Sequence, residues 1–210
     1  MLWAVLLIAI GTWASMGPQV STSQDLQQQF EDQVTTFTLD NGLTFVVIER
    51  PEAQVVSFHT YADVGSVDEP SGQTGIAHMF EHMAFKGTTR IGTQNIEQEV
   101  AAIDAMEATY QDLLRAQAPP QADSARIASL QSEFETAQEE AESYIDAGAF
   151  DGLLERQGAS GLNAFTSADA TGYLYSLPAN KIAVFFATEA ERFLYPVFRE
   201  FYTERDVVME

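Results

Sequence analysis

The sequence predicts an α+β fold: an antiparallel or mixed sheet covered by helices on one face, with an inserted helical hairpin. Three observations carry this expectation. Alternating segments flank Asp40-Asn41-Gly42 and a further strand-like run starts at Val55. Apolar residues then recur at steps of three and four from Val100 to Tyr144, and an aromatic-rich run with helical spacing follows Pro178.

The elements follow in chain order. The stretch "MLWAVLLIAIGTWASMG" is apolar from Leu2 to Ile10 and then turns small and polar, so residues 1–20 read as a signal peptide or membrane anchor. The run is short for a full span, and its n-region lacks Lys and Arg. Residues 21–33 form a polar linker. "VTTFTLDNGLTFVVIERP" then predicts a hairpin turning at Asp40-Asn41-Gly42, because Asn-Gly tolerates the positive φ of a tight turn. "VVSFHTYADVG" predicts a third strand, with His59 an ordinary strand histidine. A helix is expected from about Thr74 to Phe85, with Ile76, Phe80 and Met83 packing inward.

Composition narrows the chemistry. At 210 residues and 46% apolar content, the chain can bury a core. With 31 acidic against 10 basic residues, its net charge of −21 argues against nucleic acid and anionic membrane surfaces. The absence of cysteine excludes disulfides, thiolate metal sites and cysteine nucleophiles. Any metal must therefore bind through nitrogen and oxygen.

Two of the three histidines lie within "GIAHMFEHMAFKGT". Residues on a helix turn by about 100° each, so His78, Glu81 and His82 share an arc of about 100°. Histidines at i and i+4 can point at one ion, and the glutamate beside the second is placed to act on water at that ion. The competing reading is a half-exposed polar helix face. Against it, the order matches H-x-x-E-H, the inverse of H-E-x-x-H, whose spacing has a mechanical reason.

"GSVDEPSGQTGIAHMFEHMAFKGT" resembles the signature of the pitrilysin and insulinase type of zinc peptidases, the inverzincins, most closely their bacterial, mitochondrial-processing-peptidase-like branch. "GLNAFTSADATGYLYSLP" (161–178) and "REFYTERDVVME" (199–210) match the same family in the same order. The resemblance implies Zn2+ held by His78 and His82, with Glu81 the general base toward zinc-activated water. It implies that Glu204 is a carboxylate assisting the site, and that the third ligand lies seven residues beyond it. That count reaches position 211, just beyond Glu210, which would be the ligand only after a one-residue slip. Asn163, Ala164 and Phe165 would meet the backbone of an extended peptide added at the sheet edge.

On this reading residues 34–210 are a peptidase N-terminal domain, part of a catalytic half, incomplete at its C-terminus. A second homologous half or a partner subunit would enclose the peptide, and the 210-residue chain alone is expected to be inactive and to bind zinc weakly. Export follows from the N-terminal run: periplasmic, or membrane-anchored and facing the periplasm.

The chain departs from the family between Asn95 and Asp151, where Pro119-Pro120 splits two amphipathic stretches. An inserted helical hairpin is expected at about 104–150, either packed on itself as a solvated decoration or serving as a lid or docking surface. After Pro178, Phe185, Phe186, Phe193, Leu194, Val197, Phe198 and Phe201 are expected in the core.

Three alternatives fit the sequence less well. S-ribosylhomocysteine lyases share the fold and an H-x-x-E-H pattern, but their chemistry uses a cysteine. A non-catalytic partner subunit of a processing-peptidase-like complex would not need His78, Glu81 and His82 together. A coiled-coil adaptor would explain the hairpin but not the three motifs. The expectation is a zinc-dependent endopeptidase acting on peptides or on small or unfolded proteins.

Overall fold

In a computed structural model, residues 27–209 except Gln29 are described. The expected signal or anchor (1–20), the first part of the linker and Glu210 lie outside the described residues. Two compact units divide between Glu52 and Ala53. Among the described residues no helix is long and apolar enough to cross a membrane.

The first unit contains a hairpin of β1 (Val34–Thr38) and β2 (Thr44–Ile48), paired antiparallel with Thr38 opposite Thr44. The turn chemistry is the expected one. Gly42 has φ 89°, and the Asn41 side chain accepts a hydrogen bond from the Leu43 N–H at 3.1 Å.

The second unit runs β3 (Val55–Ala62), α1 (Ile76–Met83), α2 (Ile96–Gln117), α3 (Ser124–Glu142), α4 (Ala149–Arg156), β4 (Ser160–Thr166), β5 (Thr171–Pro178), α5 (Ile182–Leu194) and α6 (Phe201–Met209). Its three strands stand in the order β3-β5-β4, and both pairings are antiparallel. Tyr175 and Leu177 of β5 are buried with Phe150 and Leu154 of α4 and Phe185 of α5. The other face carries Ser57 and His59 opposite Ser176 and Leu174, with the two serine hydroxyls 2.9 Å apart at an exposed position. Helices thus cover one face, as the sequence predicts.

Two packing expectations need correction. On α1 the buried residues are Ala77, Met79 and Met83, whereas Ile76 is 39% and Phe80 56% exposed. Phe80 instead meets Phe198 edge-on, ring centres 5.7 Å apart. On α5 only Phe185 of the expected phenylalanines is buried, beside Thr188, Glu189 and Arg192. The physical reason is a polar layer held by ion pairing and aromatic contact, in which Arg192 Nε and Nη1 have no hydrogen-bond partner among the described residues. Arg192 donates to Glu189 at 2.8 Å and lies over the Tyr173 ring at 4.4 Å, while Glu189 also accepts from Thr60 and Tyr175. Apolar spacing alone could not foresee that a paired charge would occupy the inward stripe.

A second buried charge ties the helices together. The Arg199 and Glu99 side chains are both 0% exposed and meet at 2.5 Å. Arg199 also donates to the carbonyls of Lys86, Thr88 and Ile91, the turn that follows α1. Gly87 permits that turn: its φ is 91°, and a Cβ there would sit 2.3 Å from the Ile91 carbonyl oxygen. Replacing Arg199 with Met leaves Glu99 buried without its counter-charge, so urea unfolding is expected to show a loss of about 3–5 kcal/mol. A loss below about 1 kcal/mol would mean that Arg199 does not tie these segments.

Candidate metal centre and active site

The site begins with the placement of α1. Its N-cap, Gly75, has φ 95°, and no side chain of its own caps the helix. The Glu69 carboxylate does so from outside, accepting from the N–H groups of Gly75 at 2.9 Å and Ala77 at 2.8 Å. A negative charge there also opposes the positive end of the helix dipole. Gly65 brings the preceding turn against the β4–β5 turn. Ser66 and Val67 donate to the carbonyls of Ser167 and Ala168, and a Cβ on Gly65 would lie 2.5 Å from the Ser167 oxygen.

With α1 so held, its polar face carries the three predicted residues together. His78 Nε2 and His82 Nε2 are 3.2 Å apart. Two imidazole nitrogens bound to one tetrahedral zinc at about 2.0–2.1 Å stand about 3.3–3.4 Å apart, so the pair fits that ion. His82 donates its other ring nitrogen, Nδ1–H, to Glu204 Oε2 at 2.7 Å. This leaves the Nε2 lone pair free for a metal, the usual arrangement of a carboxylate supporting a ligating histidine. Glu81 accepts from the Thr166 hydroxyl at 2.5 Å, which ties the carboxylate to the end of β4. Among the described residues no three His, Asp or Glu side chains converge as a complete metal cage.

Glu204 reaches this site from α6, and Lys86 holds it there. Lys86 Nζ lies 2.6 Å from Glu204 Oε1 and 2.7 Å from Glu200 Oε2. Glu200 precedes α6 with φ 54°, a left-handed conformation that costs a non-glycine residue about 1 kcal/mol or more. Burial alone would raise the Glu204 pKa, but Lys86 and His82 outweigh it and hold the carboxyl below its ordinary value. Burial alone would lower the Lys86 pKa, but Glu200 and Glu204 outweigh it and raise it.

Asn163, Ala164 and Phe165 lie on β4, which among the described residues pairs only with β5 and so forms an edge of the three-stranded sheet. They do not share one face. Ala164 stands opposite buried Tyr173, on the side from which Thr166 reaches Glu81. Asn163 and Phe165 stand opposite Leu174 and Gly172, and the Phe165 ring lies 5.9 Å from His59 on the outer face. Sequence reasoning missed Glu69, Lys86 and Thr166 as site residues. All three stand inside the family-like motifs, Glu69 and Lys86 in the histidine motif and Thr166 in the second; only the fold gives each its partner.

Comparison with known proteins gives a family likeness over the stretch that contains the histidine helix. The family description "Insulinase (Peptidase family M16)" matches residues 44–112, which span the hairpin's second strand, the histidine helix and the start of α2. The beta subunit of mitochondrial-processing peptidase from Lentinula edodes is 44% identical over 68 residues, 32% of this chain and 15% of that protein. An uncharacterized zinc protease of Rickettsia bellii is 43% identical over 65 residues, 31% and 16% of the two chains. The crystal structure of a protease from Helicobacter pylori superposes with a TM-score of 0.54 at 24% identity, covering 83% of this chain and 29% of that one. The chain thus resembles the insulinase-type zinc peptidases in sequence around the site and shares their α+β fold. Each curated match covers only about a sixth of the relative's length, 15% and 16% in the two cases given.

A pH dependence follows from the α1–α6 contact. The lowered Glu204 pKa contributes stability that is present above its ordinary value of 4.5 and lost as pH falls through the folded value. The raised Lys86 pKa contributes stability present below 10.5 and lost as pH rises through the folded value. In Lys86→Met the Glu204 pKa moves back toward its ordinary value, so the urea midpoint is expected to fall less between about pH 7 and about pH 3 than it does in wild type. Superimposable acid limbs would show that Lys86 does not hold the Glu204 charge.

Proposed function

We propose that this chain forms part of a zinc-dependent endopeptidase that hydrolyses peptides or small or unfolded proteins. The observation that carries the reading is the pair of Nε2 atoms 3.2 Å apart, with Glu81 on the same helix face and Glu204 behind His82. His78 and His82 would hold Zn2+, with a third ligand at position 211, one residue past Glu210. When bound, zinc supplies Lewis acidity, lowering the pKa of water to about 7 and polarising a carbonyl.

The chain's own residues do the rest. Glu81 takes a proton from the attacking water and passes it to the leaving amine, and the Thr166 hydroxyl fixes the direction in which its carboxylate points. Glu204 holds the His82 ring so that Nε2 faces the ion. The free edge of β4 at Asn163, Ala164 and Phe165 offers main-chain groups to an extended peptide, which would add as a further strand. A second homologous half, on the same polypeptide or a partner subunit, would close over the peptide and exclude bulk water. The apolar N-terminal run supports export, to the periplasm or to its membrane face.

Two substitutions in the intact protein test the roles. Glu81→Gln is expected to bind Zn2+ within about threefold of wild type while cleaving an unfolded peptide at least about 100-fold more slowly. Retained cleavage would remove Glu81 as the base. His78→Ala is expected to weaken Zn2+ binding at least about tenfold in a competition titration, and unaltered affinity would remove His78 as a ligand.

A further inference from the structure

The α2–α3 hairpin does not pack only on itself. Its buried cluster of Met106, Phe134 and Ala141 also contains Tyr202, which belongs to α6. Tyr202 lies with its ring centre 4.3 Å from Tyr110 and 5.1 Å from Phe134, and its hydroxyl donates to Glu107. Arg205 donates to the Tyr110 hydroxyl at 2.8 Å and stands 5.1 Å over the Tyr202 ring, and Gln138 donates to Thr203 at 3.2 Å. The cavity left at this junction is about 10 Å³, room for one water at most.

The face that the hairpin grips is not the face that serves the site. At about 100° per residue, Glu204 lies about 200° around α6 from Tyr202. Glu204 therefore points away from the hairpin toward His82 and Lys86. Few polar contacts on the site side could hold a helix of 9 residues in place by themselves.

We infer that the inserted hairpin is a buttress for the site: Tyr110 and Phe134 clamp Tyr202 and Arg205, and so set the position from which Glu204 orients His82. Tyr202 and Arg205 are thus positioning residues, and the insertion acts from behind α6 instead of closing over the substrate. Its bearing on catalysis rests on the zinc-endopeptidase reading, while its bearing on α6 does not.

The test uses the intact protein and Zn2+ alone as the probe. Tyr110→Ala is expected to speed amide exchange in α6 at least about tenfold, leave β5 within about twofold, and weaken Zn2+ binding about tenfold. Tyr110→Phe keeps the ring and is expected to restore both readouts to within about threefold of wild type. Arg205→Met, which removes no buried ring, is expected to change both in the same direction as Tyr110→Ala. Leu114→Ser, on an exposed position of the hairpin, is the control and is expected to change neither. Unchanged exchange in α6, uniformly faster exchange throughout the chain, or a looser α6 with wild-type Zn2+ affinity would each overturn the proposal. If wild type binds no Zn2+, the endopeptidase reading fails, and exchange in α6 alone decides whether the hairpin positions it.

Discussion

Arg199 sets the geometry on which the two site helices depend. It stands two residues before α6, and its guanidinium binds the buried Glu99 of α2 and three carbonyls of the turn leaving α1. All three nitrogens of this buried guanidinium are met, so the surrounding backbone has little choice of position. The end of α1, the first turn of α2 and the start of α6 are thereby brought to one point. His82 and Glu204, 122 residues apart in sequence, come within 2.7 Å as a result.

Around that anchor the polar contacts form a graded series. Lys86 spans Glu200 and Glu204, and it holds Glu200 in its left-handed conformation as well as holding the Glu204 charge. Glu69 fixes the other end of α1, and Thr166 couples Glu81 to the edge strand. The histidine helix is therefore restrained at its N-terminus, at its C-terminus and along its polar face, by separate segments of chain. Such restraint would suit a metal site, where side chains must be held close to one productive geometry.

The departures from expectation have different causes on α5 and on α1. Helical spacing identified α5 and α6 and gave an amphipathic stripe, but the stripe of α5 that faces the sheet contains Thr188, Glu189 and Arg192. Ion pairing and aromatic contact made those residues acceptable inside, which displaced phenylalanines such as Phe193 to an exposed position. On α1 the buried stripe is wholly apolar, Ala77, Met79 and Met83, and Phe80 instead meets the Phe198 ring. The hairpin's role was hidden for a further reason: its repeat is that of any self-packing pair, and nothing in it names Tyr202 as a third member.

The sequence by itself determined the local facts. Asn41-Gly42 dictated a turn through the positive φ that glycine accepts, the three-four repeat and Pro119-Pro120 dictated two helices, and the i, i+4 histidines with Glu81 dictated one polar helix face. These depend on neighbours within a turn or two, where covalent geometry allows few outcomes. Only the tertiary structure decided which distant groups complete that face: Glu204 behind His82, Thr166 on Glu81, Lys86 between two glutamates, and the inserted hairpin behind α6. Those pairings depend on how helices and strands pack across more than eighty residues of chain, and long-range packing is set by the total burial of charge and apolar surface, which no local repeat encodes.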